Sequence, residues 1–100
     1  MSNLRCETDG RLQCDRVVCW SSGDLSILCK ILQTCNRWSL GELELYLGYM
    51  TSDSWSQLAA VAGRGEIDKV VVLKSDIQRG RREDVEAVKR VTREWEEDDW

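Results

Sequence analysis

A chain of 100 residues with 42% apolar and 32% charged side chains has the size of one domain and is too apolar for a disordered segment. Its formal charge is −4, and its complete lack of histidine removes the ordinary imidazole base, proton shuttle and metal ligand, so most hydrolase mechanisms have no support. No apolar run approaches the roughly 20 residues that cross a bilayer, and no basic-then-apolar leader is visible, which points to a cytoplasmic protein without a membrane span.

Residues 1–10 hold little apolar material and are expected to form a flexible arm before a single α/β domain over 11–95. From Arg11 to Trp20, the order Leu12, Cys14, Val17, Val18, Cys19, Trp20 predicts a strand with a buried end. Ser21, Ser22 and Asp24 are capping residues, and Leu25, Leu28, Cys29, Leu32 and Cys35 follow at helical spacing, which predicts a helix from Asp24 to Asn36. Ile27 and Ile31 widen its apolar face, as expected of a helix covered on more than one side.

Leu43, Leu45, Leu47 and Tyr49 alternate with Glu42, Glu44, Tyr46 and Gly48, the two-residue period of a half-buried strand. Thr51, Ser52 and Asp53 then offer caps for a helix carrying Trp55, Leu58, Ala59 and Ala62 and stopped by Gly63. Val70 to Leu73 is an uninterrupted apolar run, expected of a strand buried on both faces of a parallel sheet. A last helix is predicted from Arg81 or Arg82 to Trp95, with Val85, Val88, Val91 and Trp95 inward, before an acidic tail over 96–100. No proline, linker or internal repeat divides the chain. The order β-α-β-α-β-α predicts a small two-layer or three-layer sheet of about three mostly parallel strands with three helices. Trp38 and Trp55 are expected as core anchors.

Three features bear on function. The five cysteines lack the close pairs of a zinc site, and their odd number without a leader favours free thiols, with a metal or redox role as the alternative. After the Val70 to Leu73 strand, Lys74, Arg79, Arg81 and Arg82 surround a glycine and a helix start, where a phosphate or carboxylate could bind. At the far end, residues 94–99 hold five acids and no base. There Trp95, Glu96, Glu97, Asp98, Asp99 and Trp100 form an acidic, Trp-flanked segment suited to a basic groove on a protein partner.

The segment LELYLGYMTSDSWSQLAAVAGRGEIDKVVVL, with Gly48 and Tyr49 after a strand, resembles the first half of phospholipase D-like nuclease domains. That resemblance implies a related α/β topology or an inactive relative, because the family's His-Lys-Asp signature has no histidine to stand on here. The sequence therefore favours a small non-enzymatic protein, without cofactor or metal, that acts by binding a protein: a regulator or inhibitor of the kind mobile elements encode. The alternative is a nucleic-acid-associated accessory domain using the basic loop. Homo-oligomer formation is compatible with either.

Overall fold

The computed structural model describes residues 5–6, 10–48 and 50–98. Strand β1 (Arg5–Cys6) and strand β2 (Arg11–Cys19) are followed by α1 (Ser22–Gln33), β3 (Arg37–Leu45), α2 (Ser52–Ala62) and β4 (Gly65–Leu73). A short α3 (Lys74–Ile77), then α4 (Arg82–Arg90) and β5 (Thr92–Asp98), complete the order. The helix starts are built by the residues their sequence advertises. Ser21 Oγ accepts the Asp24 N–H at 3.2 Å while Asp24 Oδ2 accepts the Trp20 N–H at 3.1 Å, a reciprocal cap on α1. Thr51 Oγ1 caps α2 in the same way through the Ser54 N–H.

The strands lie side by side in chain order, β1-β2-β3-β4-β5, with β1 antiparallel and β2 to β5 mutually parallel. A parallel sheet whose strands keep sequential order, joined by right-handed crossovers, sends every helix to the same face. The helices accordingly pack on one another in succession, α1 on α2 and α2 on α4. The result is a two-layer molecule with its core between sheet and helices. Trp55 and Leu25, Leu28, Leu32, Leu43, Leu45 and Leu58 are fully buried there. Trp38 and Trp55 anchor it, each indole N–H donating to a backbone carbonyl: Trp38 to Val61 at 2.9 Å and Trp55 to Asp76 at 2.8 Å.

The register exposes a repeat that the sequence did not announce. Cys14, Leu40, Ile67 and Thr92 stand in one row across the sheet, so successive units are offset by 26, 27 and 25 residues (14 to 40, 40 to 67, 67 to 92). Each unit has one strand and one helical crossover. Three of the strands carry apolar residues at positions 1, 4 and 6 of the same stretch: Cys14, Val17, Cys19; Leu40, Leu43, Leu45; Ile67, Val70, Val72. Each of these strands thus turns the same three positions to the core and is followed by a helical crossover. Between positions 1 and 4 two residues in a row avoid the core, so the pleat is interrupted along the line Asp15, Gly41, Asp68, Arg93. At Gly41 a side chain would run into the Asp15 carbonyl, which is why the centre of this line is glycine.

Four expectations are corrected. The last helix ends at Arg90, and Thr92–Asp98 pairs with β4 (Val70 with Trp95, Leu73 with Asp98), because the N–H and C=O groups along β4 require a partner that a longer helix could not supply. Glu96, Glu97 and Asp98 therefore belong to a strand; Asp99 and Trp100 lie outside the described residues. Ile27 is 51% exposed, so α1 is covered on one side. The strand expected near Glu42 begins at Arg37 and ends at Leu45, and Tyr49 lies outside the described residues. Within the expected arm, Arg5–Cys6 forms β1; residues 1–4 and 7–9 lie outside the described residues.

Candidate functional site

The sheet face opposite the helices is the open surface of the molecule, and strand parity decides what it displays. Leu12, Cys14, Val17 and Cys19 point to the core; Arg11, Gln13, Arg16, Val18 and Trp20 point away from it. Carried across the register, the outward rows are Arg16, Glu42, Lys69, Glu94 and then Val18, Glu44, Val71, Glu96. A third row at the carboxyl ends of the strands is Trp20, Tyr46, Leu73, Asp98. In this row Leu73 pairs with Asp98, and the Tyr46 N–H donates to the Cys19 carbonyl at 2.9 Å.

Carboxylates outnumber cations on these rows five to two, and they are ordered by specific contacts. Arg16 Nε donates to Glu44 Oε2 and lies 3.3 Å from Glu42 Oε2, while the Tyr46 hydroxyl donates to Glu44 Oε1. Glu44 is only 7% exposed although no helix covers it. Its hydrogen bond to Arg16 holds its carboxyl below the usual carboxylate range. The same bond network, with some burial, pushes the Tyr46 phenol up to about 12. Lys69 Nζ approaches Glu96 Oε2 at 3.9 Å. Val71 and Leu73 are buried on this face by neighbouring side chains rather than by a second helix layer, which corrects the expected reason for their burial.

An aromatic platform stands over these acids. Trp20 is 62% exposed, and its ring stacks on Tyr46 with centroids 4.9 Å apart and planes tilted by 30°. Aromatic faces beside ordered carboxylates attract cationic side chains through both charge and ring quadrupole.

The residues singled out from the sequence are divided by the fold. Glu96 and Asp98, with Glu94, reach the open face. Trp95 and Glu97 lie on the other side of β5, where Trp95 packs 6.4 Å from Trp55, sits beneath Lys89 Nζ at 5.2 Å and donates to Glu97 Oε2 at 3.1 Å. Lys74 begins α3, Arg79 and Arg81 lie in the loop after it, and Arg82 begins α4; all four are exposed. In the middle of that segment Asp76 is fully buried, its Oδ2 accepting the Gly48 N–H at 3.1 Å and Oδ1 the Met50 N–H at 3.0 Å. The segment is thus tied to the β3–α2 loop by a structural carboxylate. Sequence reasoning missed Arg16, Trp20, Glu44 and Tyr46 as a group. Their signal was the alternation from Glu42 to Tyr46, in which every second residue is polar or aromatic.

Cys14, Cys19, Cys29 and Cys35 are buried cysteines outside any disulfide. Burial pushes Cys19 up to about 12 and Cys29 up to about 11, which suppresses the thiolate needed for nucleophilic or metal chemistry. Among the described residues no group of Cys, Asp and Glu is arranged to hold a metal ion, and no helix is long and apolar enough to cross a membrane. Comparison with protein-family models, with curated proteins and with solved structures found no match.

Proposed function

We propose that this protein is a non-enzymatic interaction module that binds a basic segment of a protein partner on the open face of its sheet. The observation that carries the reading is the exposed Trp20, stacked on Tyr46 above the Arg16–Glu44 network on a face rich in carboxylates. Exposed aromatics of this kind are frequent anchors of protein interfaces, and the surrounding acids steer a basic partner toward them. Glu96 and Asp98 of the acidic segment contribute to this face from β5, so the contact region extends from the strand ends back across the sheet. A role as regulator or inhibitor needs nothing beyond such a surface. The likeness of residues 43–73 to phospholipase D-like domains concerns the β3-α2-β4 unit and supplies no catalytic group. An accessory role on nucleic acid fits the open face less well, since phosphates would meet its carboxylates.

Calorimetric titration with short Lys/Arg-rich peptides tests the proposal. Trp20→Ala is expected to weaken binding by more than about 1 kcal/mol with an unchanged melting temperature, as for loss of an aromatic anchor from a solvent-exposed position. Equal affinity of the variant and the parent protein would remove Trp20 from the interface.

A further inference from the structure

The open face has a second pole. At the amino ends of the strands Arg11 pairs in register with Arg37, and the Trp38 N–H donates to the Arg64 carbonyl at 3.2 Å, so three arginines stand on neighbouring backbone segments in one row. They line an open groove of about 610 Å³ with Gln13, Ser39 and Glu66 from the next row. Its floor is fixed. Gly65 abuts the Trp38 indole so closely that a Cβ there would overlap the ring, and Trp38 is itself held by its bond to Val61.

Arg64 Nη2 donates at 3.5 Å to the Gln33 carbonyl at the end of α1, while Arg11 and Arg37 stand on strands with outward parity, so guanidinium groups from three backbone segments line the groove. Guanidinium groups hold phosphate oxygens by paired hydrogen bonds, and the Gln13 amide and Ser39 hydroxyl add neutral donors beside them. The ligand is also limited in size. Glu66 shares the groove, Asp15 and Asp68 follow along the sheet, and the acidic rows lie beyond, so a chain of phosphates laid across this face would be repelled after its first charge.

We infer that the Arg11, Arg37, Arg64 groove binds a single phosphate-type group, either free or carried on a protein segment. This inference is independent of the aromatic platform, because its probes are anions and Trp20 lies at the opposite ends of the strands.

The test is a titration of the full chain, by calorimetry and amide chemical shifts at constant ionic strength. The probes are inorganic phosphate, a phosphoserine peptide with neutral flanks, its unphosphorylated counterpart and a short single-stranded oligonucleotide. Saturable binding of phosphate or phosphopeptide, with shifts at residues 11–13, 37–39 and 64–66, is expected. Arg37→Gln should weaken it about tenfold or more, the scale of a lost hydrogen bond to a charged group, without changing the melting temperature, while Arg81→Gln leaves it intact. Tighter binding of the phosphopeptide than of phosphate identifies a protein-borne group, and equal binding identifies the free anion. Absence of saturation by either phosphate probe, insensitivity to Arg37→Gln, or preference for the oligonucleotide would overturn the inference.

Discussion

The two faces of the sheet are built from the same strands yet obey different rules. On the helix side, β2, β3 and β4 place Cys, Leu, Ile and Val into a continuous core, and Trp38 and Trp55 have their indole N–H groups satisfied by backbone carbonyls. On the open side the same strands present Arg16, Glu42, Glu44, Lys69 and Tyr46, joined by ion pairs and hydrogen bonds, and bury Val71 and Leu73 without a covering layer. The contrast separates what holds the protein together from what it displays on its open surface. Stability resides in the apolar side, while the partly exposed ion pairs of the open side contribute little to it.

Adjacent residues of β3 give the sharpest way to break that contrast. Leu43→Ala removes a fully buried side chain from the helix side and is expected to cost about 3 kcal/mol in denaturant unfolding. Glu42→Ala, one residue away on the open side, is expected to change stability by no more than about 0.5 kcal/mol, since it removes only a partly exposed ion pair. Similar costs for both would mean that the open face carries the fold too.

Asp76 tests the same division at a polar site. Asp76→Ala leaves the Gly48 and Met50 N–H groups without their buried acceptor, and about 2 kcal/mol or more of destabilisation is expected from that loss. Neutral behaviour in chemical denaturation would show that water replaces the carboxylate.

The smallest effect is spectroscopic. Tyr46 is raised above its ordinary value, so its hydrogen bond to Glu44 contributes fully below about pH 10 and is lost as pH rises toward about 12. Glu44 is depressed, so its contribution is present above the ordinary carboxylate pKa of about 4.3 and disappears as pH falls through its lower folded value. Tyrosinate absorbance should show a transition near 12 that Tyr46→Phe removes and Glu44→Gln moves back toward about 10. An ordinary titration of Tyr46 in the folded protein would dissolve the network.

Much of the helix side was legible in the sequence because apolar periodicity records it directly. The caps at Ser21 and Thr51, the faces of α1, α2 and α4, and the strand around Val70 to Leu73 follow from residue type and spacing. Strand β5 was hidden because an edge strand with one solvated face needs few apolar residues, and Val91 with Trp95 four positions on mimics a helix. The candidate site was hidden for a related reason. Arg16, Glu44 and Tyr46 are unremarkable one by one, and only the register brings residues 28 apart in the chain into hydrogen-bond contact. The 26-residue period escaped notice because Cys and Val stand in β2 where Leu stands in β3, so the units share polarity and spacing more than identity.

The Asp76 carboxylate also determines how the molecule comes apart. In a row of stacked units each neighbour contact is normally an interface of side chains that can loosen alone. Here a group carried after β4 holds two backbone amides of the loop that follows β3. Opening of the third strand-helix unit must therefore release the amides of Gly48 and Met50. Amide exchange at Gly48 and Met50 will track the breathing of α3 rather than that of their own loop.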